Sequence, residues 1–213
     1  MRRIAVRIKG ASGPMTSVPT SAPPTPTQEP AHEGLIVFYS ERDGNAEIYV
    51  MNPDGSSQRR LTENDSDEFT PAWSPNGTQI AFQSDRDDPN PVRCFPDCIW
   101  KIYLMNADGS DTRRLVDTGL DDYFPDWSPD GKQIVFFAAN WPTIQQDIYV
   151  VNADGSDLRR LTDTPRVVDE NPQWSPDGSK IVFQTDRDGN FEIYMMDPDG
   201  SNQQNVTRNP GRD

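Results

Sequence analysis

The sequence predicts an all-β protein built from a repeated unit of four short antiparallel strands. A nonapeptide occurs four times, as IYVMNPDGS at residues 48–56, IYLMNADGS at 102–110, IYVVNADGS at 148–156 and IYMMDPDGS at 193–201. Asp-Gly and Asn-Gly pairs separate short apolar runs, and they favour hairpin turns because glycine tolerates a positive φ. Only 33% of the residues are hydrophobic, but the five tryptophans and the clustered apolar runs argue for a folded core.

Each unit contains four recurring segments, which we assign to strands A to D. Strand A is the PxWS segment that opens the PxWSP(N/D)G motif at residues 71–77, 125–131 and 172–178, and the SP(N/D)G turn leads into strand B, the apolar run at 36–38, 80–82, 134–136 and 181–183. Strand C is the apolar first part of the nonapeptide, as in EIYVMN, and its PDGS or ADGS turn leads into strand D, which ends in RRLT or a variant of it at 59–62, 113–116, 159–162 and 204–207. The nonapeptides start 54, 46 and 45 residues apart, and about 45 residues per four-stranded unit is the period of a β-propeller blade.

The first unit has no recognisable strand A. Trp73, Trp127 and Trp174 each lie seven residues before strand B, whereas the same offset from Ile36 falls on Glu29. We therefore expect about four blades at residues 35–62, 69–116, 123–162 and 170–207, three complete and one lacking strand A, in an open or incomplete ring. Such an arc would expose apolar blade surface at both ends and self-associate through its open edges. A closed four-bladed ring that uses residues 26–34 as an edge strand is the alternative.

The order PxWSPDG, IVF, IYVMNADGS and RRLT resembles the TolB-type, WD-like propeller family. The resemblance runs from Leu35 to the C-terminus, and residues 172–201 follow the family consensus almost letter for letter. It implies a propeller, usually of six blades, so that this chain would be a partial one. Propellers of this type serve as periplasmic scaffolds, as sensor domains behind kinases and as gating domains of some serine peptidases.

Charge and the N-terminal segment limit the classes of partner and location. The net charge of −14 argues against binding to nucleic acid or to an anionic membrane surface. No apolar run approaches the ~20 residues of a membrane span, and residues 1–10 lack the apolar core of a secretory signal. Residues 14–30 are rich in Pro, Thr and Ser, so residues 1–34 are predicted to be disordered. We expect a periplasmic or cell-surface location.

Catalytic and metal-binding motifs are missing from the sequence. It contains no GxSxG, HExxH or phosphate-binding glycine loop, and its one histidine, His32, lies in the N-terminal segment. We expect neither enzymatic activity nor a cofactor. Gly189 is the fourth residue of DRDGN, whereas an EF-hand needs glycine at its sixth position, so only loose calcium binding by the acidic surface is left open. Cys94 and Cys98 are too few for a zinc site and predict a small disulfide loop, with two free thiols as the alternative.

Variable loops on one face of the propeller are the predicted binding surface. The A–B and C–D turns barely change between blades, whereas the B–C and D–A connections on the opposite face vary in length and composition. Binding residues concentrate on variable loops held by a rigid scaffold. The candidate contacts are Arg93, Phe95, Trp100, Tyr123, Trp141 and Arg166. The alternative for Trp100 and Trp141 is that they only cover strand ends.

An acidic residue precedes the strand A proline by three positions in blades 2 to 4, and several B–C turns carry an arginine. These residues are Glu68, Asp122 and Asp169, with Arg42, Arg86 and Arg187. One interpretation is an acidic mouth for a cation or a basic peptide. We favour the other, a structural arginine–carboxylate pair in each blade, because the pattern repeats with the fold.

Three functions remain compatible with the sequence. The first is a non-catalytic TolB-like scaffold that binds a protein or peptide in the cell envelope. The second is an extracytoplasmic sensor or ligand-binding propeller of a larger anchored protein. The third is the propeller part of an S9-type serine peptidase that lacks its catalytic domain.

Overall fold

The computed structural model describes residues 34–89 and 98–208, which form four antiparallel sheets. Blade 1 consists of β1 (Ile36–Ser40), β2 (Glu47–Met51) and β3 (Arg59–Arg60). Blade 2 consists of β4 (Glu68–Trp73), β5 (Gln79–Ser84), β6 (Lys101–Asn106) and β7 (Arg113–Arg114). Blade 3 consists of β8 (Asp121–Trp127), β9 (Gln133–Asn140), β10 (Gln145–Asn152) and β11 (Arg159–Arg160). Blade 4 consists of β12 (Asp169–Trp174), β13 (Ile181–Thr185), β14 (Glu192–Met196) and β15 (Gln204–Asn205).

The strand order confirms the predicted blade content. Each sheet follows the chain order, with three strands in blade 1 and four in each of blades 2 to 4. The strand contacts join blade 1 to blade 2, blade 2 to blade 3 and blade 3 to blade 4. Within residues 34–89 and 98–208, the fold is therefore an all-β arc of three four-stranded blades and a first blade with three strands. No helix in the described part of the chain is long and apolar enough to cross a membrane.

The hydrophobic core lies between the blades, because each sheet is apolar on both faces. Val37 and Ile48 of blade 1 pack against Ile80 and Phe82 of blade 2, and equivalent clusters join blades 2 and 3 and blades 3 and 4. The strand A tryptophans of blades 2 to 4 are buried in these clusters. Repeated sequence therefore reflects a repeated packing environment.

The two arginines and the threonine of the RRLT segment each make a different contact. The first arginine reaches the next blade, where Arg59 donates to the Asp108 carbonyl over 3.1 Å. The second arginine stays within its own blade, as Arg160 does when it pairs with Asp147 at 2.6 Å. The threonine, which blade 2 replaces with valine, accepts a backbone N–H near the start of strand C, for example from Ile48 N to Thr62 Oγ1 at 2.9 Å. These bonds close the outer edge of the blade.

Strand A begins earlier than predicted. Glu68, Asp122, Tyr123 and Asp169 were expected in D–A loops, but they lie at the start of β4, β8 and β12. Each of these strands then breaks register in a bulge whose central residue has a positive φ: Thr70 at 50°, Phe124 at 53° and Asn171 at 54°. Polar residues before a bulge look like a loop in sequence, yet here they belong to the innermost strand.

The two ends of the arc differ in exposure, contrary to the expectation of open apolar surface at both. Ile36, Phe38 and Tyr49 of blade 1 are buried, and the Arg42 guanidinium lies over the two rings at 5.5 and 4.7 Å from their centroids. At the other end, side chains are half-buried where their blade 3 equivalents are fully buried; these are Val182, Ile193 and Met195. Apolar surface is therefore accessible at the blade 4 end of the described structure.

Candidate binding site on the variable-loop face

The β9–β10 hairpin of blade 3 has a longer paired ladder than the corresponding hairpin of blade 4. Pairing in blade 4 ends at Thr185 and Glu192, whereas blade 3 adds the pairs Ala139–Gln146 and Asn140–Gln145. A 3₁₀ helix at Trp141–Thr143 forms the tip, followed by Ile144 at φ 56°. An isoleucine rarely adopts this conformation, and the tip leaves Trp141 and Ile144 54% and 68% exposed. The hairpin thus presents two large apolar side chains to solvent.

A row of aromatic rings connects this hairpin to blade 2. The centroid of Trp100 lies 5.6 Å from that of Phe69 and 6.3 Å from that of Tyr123. Tyr123 is 6.2 Å from Trp141 in an edge-on arrangement, and Trp141 Nε1 donates to Tyr123 Oη over 3.3 Å. Three residues proposed from sequence, Trp100, Tyr123 and Trp141, therefore form one continuous cluster.

A cleft of about 670 Å³ lies beside Trp141 at the junction of blades 2 and 3, and we call it the junction cleft. Its apolar wall comes from Ile99, Leu120, Ala139 and Trp141, and its charged lining is Asp87, Lys101, Arg114, Asp117 and Asp121. Lys101 breaks the repeat, because the equivalent first residue of strand C is acidic in the other blades, as Glu47, Asp147 and Glu192.

Ion pairs hold the charged side of the junction cleft. Lys101 Nζ lies 3.2 Å from Asp117, and Arg114 lies 3.0 Å from Asp87 and 3.4 Å from Asp117. The backbone N–H of Gly119 and the Lys101 ammonium lower the pKa of Asp117. Burial raises the pKa of Asp121, although its carboxylate accepts the Trp100 N–H over 3.2 Å. Both cations are thus already paired with carboxylates.

The acidic residues predicted near the mouth are buried, and two of them pair with arginine. Arg86 binds Glu68 and Arg187 binds Asp169, both at 2.9 Å, and each guanidinium also lies over two aromatic rings of its blade. In the described part of blade 1, Arg42 donates to Ser40 and Gln58. These arginines therefore make structural contacts within their own blades.

Blade 3 departs from this pattern because its long hairpin supplies no arginine to Asp122. This carboxylate accepts the Thr118 hydroxyl, while its Oδ2 is buried without a hydrogen-bond partner. Burial raises the pKa of Asp122 to about 7. The carboxylate without an arginine thus lies beside the junction cleft, in the blade whose long hairpin breaks the repeat.

Two buried acids face each other across the interface of blades 1 and 2. Glu47 and Glu68 are both fully buried, and each has an Oε2 atom that accepts no hydrogen bond from a donor group. Burial and the hydrogen bond to Glu47 raise the pKa of Glu68 to about 7. Burial works against ionisation of Glu47, but hydrogen bonds from Glu68, Thr62 and Asn64 lower its pKa. Of the two acids, Glu68 is therefore the one that takes up a proton more readily.

The remaining proposed residues lie apart from the junction cleft or outside the described part of the chain. Arg166 is exposed, with φ 59°, in the loop before β12, which bonds to β10 through Gln146 N and Val167 O at 3.2 Å. Arg93, Phe95 and Cys94 lie outside the described residues. Cys98 is disulfide-bonded, and Cys94 is the only other cysteine of the sequence.

Sequence reasoning missed Ile99, Lys101, Asp121 and Ile144 as parts of this surface. Lys101 carried a usable signal, because it replaces an acid at a repeated position. The others carried none, since their proximity depends on how two blades pack. Among the described residues, no group of three His, Cys, Asp or Glu side chains is placed to hold a metal ion.

The inner strands enclose a second cavity, of about 340 Å³, nearer the centre of the arc. Its lining includes the three bulge residues Thr70, Phe124 and Asn171, together with Trp174. The Trp174 indole N–H is buried without a hydrogen-bond partner. The junction cleft differs from this cavity because it lies where the blades stop repeating.

Four-stranded blades that pack side by side around inner A strands, with variable loops on one face, define the class of β-propellers. Residues 139–212 match the family model described as the TolB beta propeller domain. This match and the relatives described next support a TolB-like propeller.

Related proteins share the blades over part of their length. A TolB homolog of Chlorobium luteolum is 32% identical over 137 residues, which cover 49% of this chain and 31% of that protein. The Tol-Pal system protein TolB of Geobacter sulfurreducens is 47% identical over 47 residues, covering 22% and 11%. The solved structure of a putative TolB from Agrobacterium tumefaciens superposes with a TM-score of 0.69 at 28% identity, over 81% of this chain and 60% of that one. The chain thus spans less than a third of the length of these two curated relatives.

Proposed function

We propose that this chain is a non-catalytic protein-interaction propeller of the cell envelope, and that it binds its partner through the variable-loop face around Trp141. The supporting observation is the exposed aromatic surface at the junction of blades 2 and 3. Exposed tryptophans held in a rigid cluster are typical anchors of protein interfaces, where they bury a large area at little cost in conformational entropy.

The arrangement of the breaks in the repeat also supports this surface. The turns on the opposite face keep nearly the same sequence in every blade, as packing alone requires. The long hairpin and Lys101 depart from the repeat and line the same cleft, and Trp100 reaches the hairpin through the ring of Tyr123. Packing between blades does not require such departures, so a separate role accounts for them better.

Two observations support the envelope location. Similarity to a Tol-Pal system protein TolB favours a role among envelope proteins. The disulfide bond at Cys98 suits an oxidising compartment such as the periplasm.

Photo-crosslinking tests the proposal on both faces of the same molecule. A photoreactive phenylalanine derivative placed at Trp141 should capture a partner protein in cells of the source organism. The same group at Leu158, an exposed apolar residue after the opposite-face turn of blade 3, is the matched control and should capture none. Equal capture at both positions, or capture only at Leu158, would contradict the proposal.

A further inference from the structure

We infer that the junction cleft takes a protein segment that presents an apolar side chain beside an arginine or lysine. The inference rests on the proposed function and specifies the chemistry of the partner. It follows from two properties of the cleft, its apolar wall and its charge.

The apolar wall calls for an apolar occupant. Ile99 is 38% exposed and lies with the exposed Trp141 along one side of the cleft, and Leu120 and Ala139 complete this side. Covering these side chains removes apolar surface from water, which stabilises a complex by about 25 cal/mol per Å² before the costs of association. A single leucine or isoleucine side chain is small enough for a cleft of about 670 Å³.

The charge of the cleft favours a basic neighbour for that side chain. Three carboxylates, Asp87, Asp117 and Asp121, line the cleft against two cations, Lys101 and Arg114. The two cations are paired within the cleft, which leaves an excess of one negative charge when all five groups are ionised. The Trp141 ring offers an additional surface for a cation. The net charge of −14 also attracts basic segments over longer distances.

The same charges disfavour anionic occupants. A phosphate or an acidic peptide would meet the excess carboxylate and the field of the whole chain. Arg114 remains as one route for an acidic ligand, because its side chain is 44% exposed. An acidic occupant is therefore the outcome that a test has to distinguish.

Indole NMR signals provide that test, because the chain carries five tryptophans at known positions. Two synthetic probes are titrated into the whole protein, acetyl-Gly-Arg-Leu-Gly-amide and its counterpart with Glu in place of Arg. The Arg probe should shift the Trp141 and Trp100 signals at concentrations about fivefold lower than the Glu probe, as expected for one exposed ion pair. The buried Trp127 signal should not move.

Variants separate the two parts of the inference. Asp121→Asn keeps an acceptor for the Trp100 N–H but removes one charge, and it should reduce the preference for the Arg probe at least twofold. Asp111→Asn removes the same charge from a C–D turn of the opposite face and should leave the preference unchanged. Equal shifts by both probes, or a stronger shift by the Glu probe, would overturn the inference. No shift of Trp141 by either probe would overturn it as well, whereas the crosslinking at Trp141 tests the proposed function independently.

Discussion

At the scale of single residues, the buried acids between the blades are the groups through which pH acts on stability. Glu68 is fully buried and faces the carboxylate of Glu47, the guanidinium of Arg86 and the amide of Asn64. Arg60 binds Glu47 from the other side. Each carboxylate of this pair has one arginine beside it. In a buried site this is not enough to keep both carboxylates ionised, so burial favours a proton on one of them.

This proton makes the stability of the protein depend on pH. The pKa of Glu68 is about 7 in the folded protein against a usual value of 4.5. Since the folded state binds the proton more tightly than the unfolded chain, the free energy of unfolding falls as pH rises from about 4.5 to about 7. Asp122 and Asp85, with pKa values raised by burial to about 7 and about 6, contribute in the same direction.

Glu68→Gln should make this dependence shallower. Its amide donates to Glu47 as the protonated carboxyl does, but it does not titrate. Urea denaturation of parent and variant between pH 5 and 8 measures the effect, with Glu63→Gln at an exposed position in the loop before β4 as control. A variant whose unfolding free energy follows the same pH profile as the parent would show that Glu68 does not hold the proton.

At the scale of elements, the C–D turns show why the nonapeptide repeats. An added Cβ at Gly109, Gly155 or Gly200 would lie 2.6–2.7 Å from the carbonyl oxygen of a leucine in the preceding blade. Each of these glycines also has a positive φ, as does Gly55 in blade 1, where an added Cβ would meet nothing within 4 Å. The glycine therefore serves the turn in every blade and the close contact between blades only in blades 2 to 4.

Two alanine substitutions separate these roles. Gly55→Ala should cost only the conformational penalty of a left-handed residue, about 1–2 kcal/mol. Gly155→Ala should lower the unfolding free energy by at least ~1 kcal/mol more, because its methyl group would displace the Leu115 carbonyl. Denaturant unfolding of both variants measures the difference. Equal losses would mean that the close approach between blades contributes nothing.

The elements also show how far the sequence could predict this structure. The turns, the four strands of blades 2 to 4 and the three described strands of blade 1 follow from motifs that repeat in phase. The start of strand A does not, because Glu68 and Asp169 are polar residues whose burial depends on Arg86 and Arg187. A sequence pattern does not reveal that such acids will be neutralised in the core.

The candidate site was predictable only in part, for a related reason. Trp100, Tyr123 and Trp141 stood out as aromatic residues in segments that break the repeat. Their assembly into one row depends on the packing of blade 2 against blade 3, which brings Trp100 close to a hairpin some 40 residues later. Local periodicity specifies the face of a strand but not its neighbours in the next blade.

At the scale of the whole molecule, repetition and variation are separated in space. The described blades pack through equivalent apolar interfaces, and their repeated turns lie on one face. The departures from the repeat collect on the other face, at the junction of blades 2 and 3. The central claim is that the blades form the scaffold and that binding occurs where the repeat breaks.

A hairpin exchange measures this claim most directly. Residues 139–146 are replaced by residues 186–191, which connect the same two strands in blade 4 and bring an arginine beside Asp122. Partner capture is read from a photoreactive group at Ile99 in both proteins, and the melting temperature serves as the control for folding. We expect a melting temperature within about 5 °C of the parent and capture reduced at least about tenfold. Undiminished capture by a folded exchange variant would contradict the account.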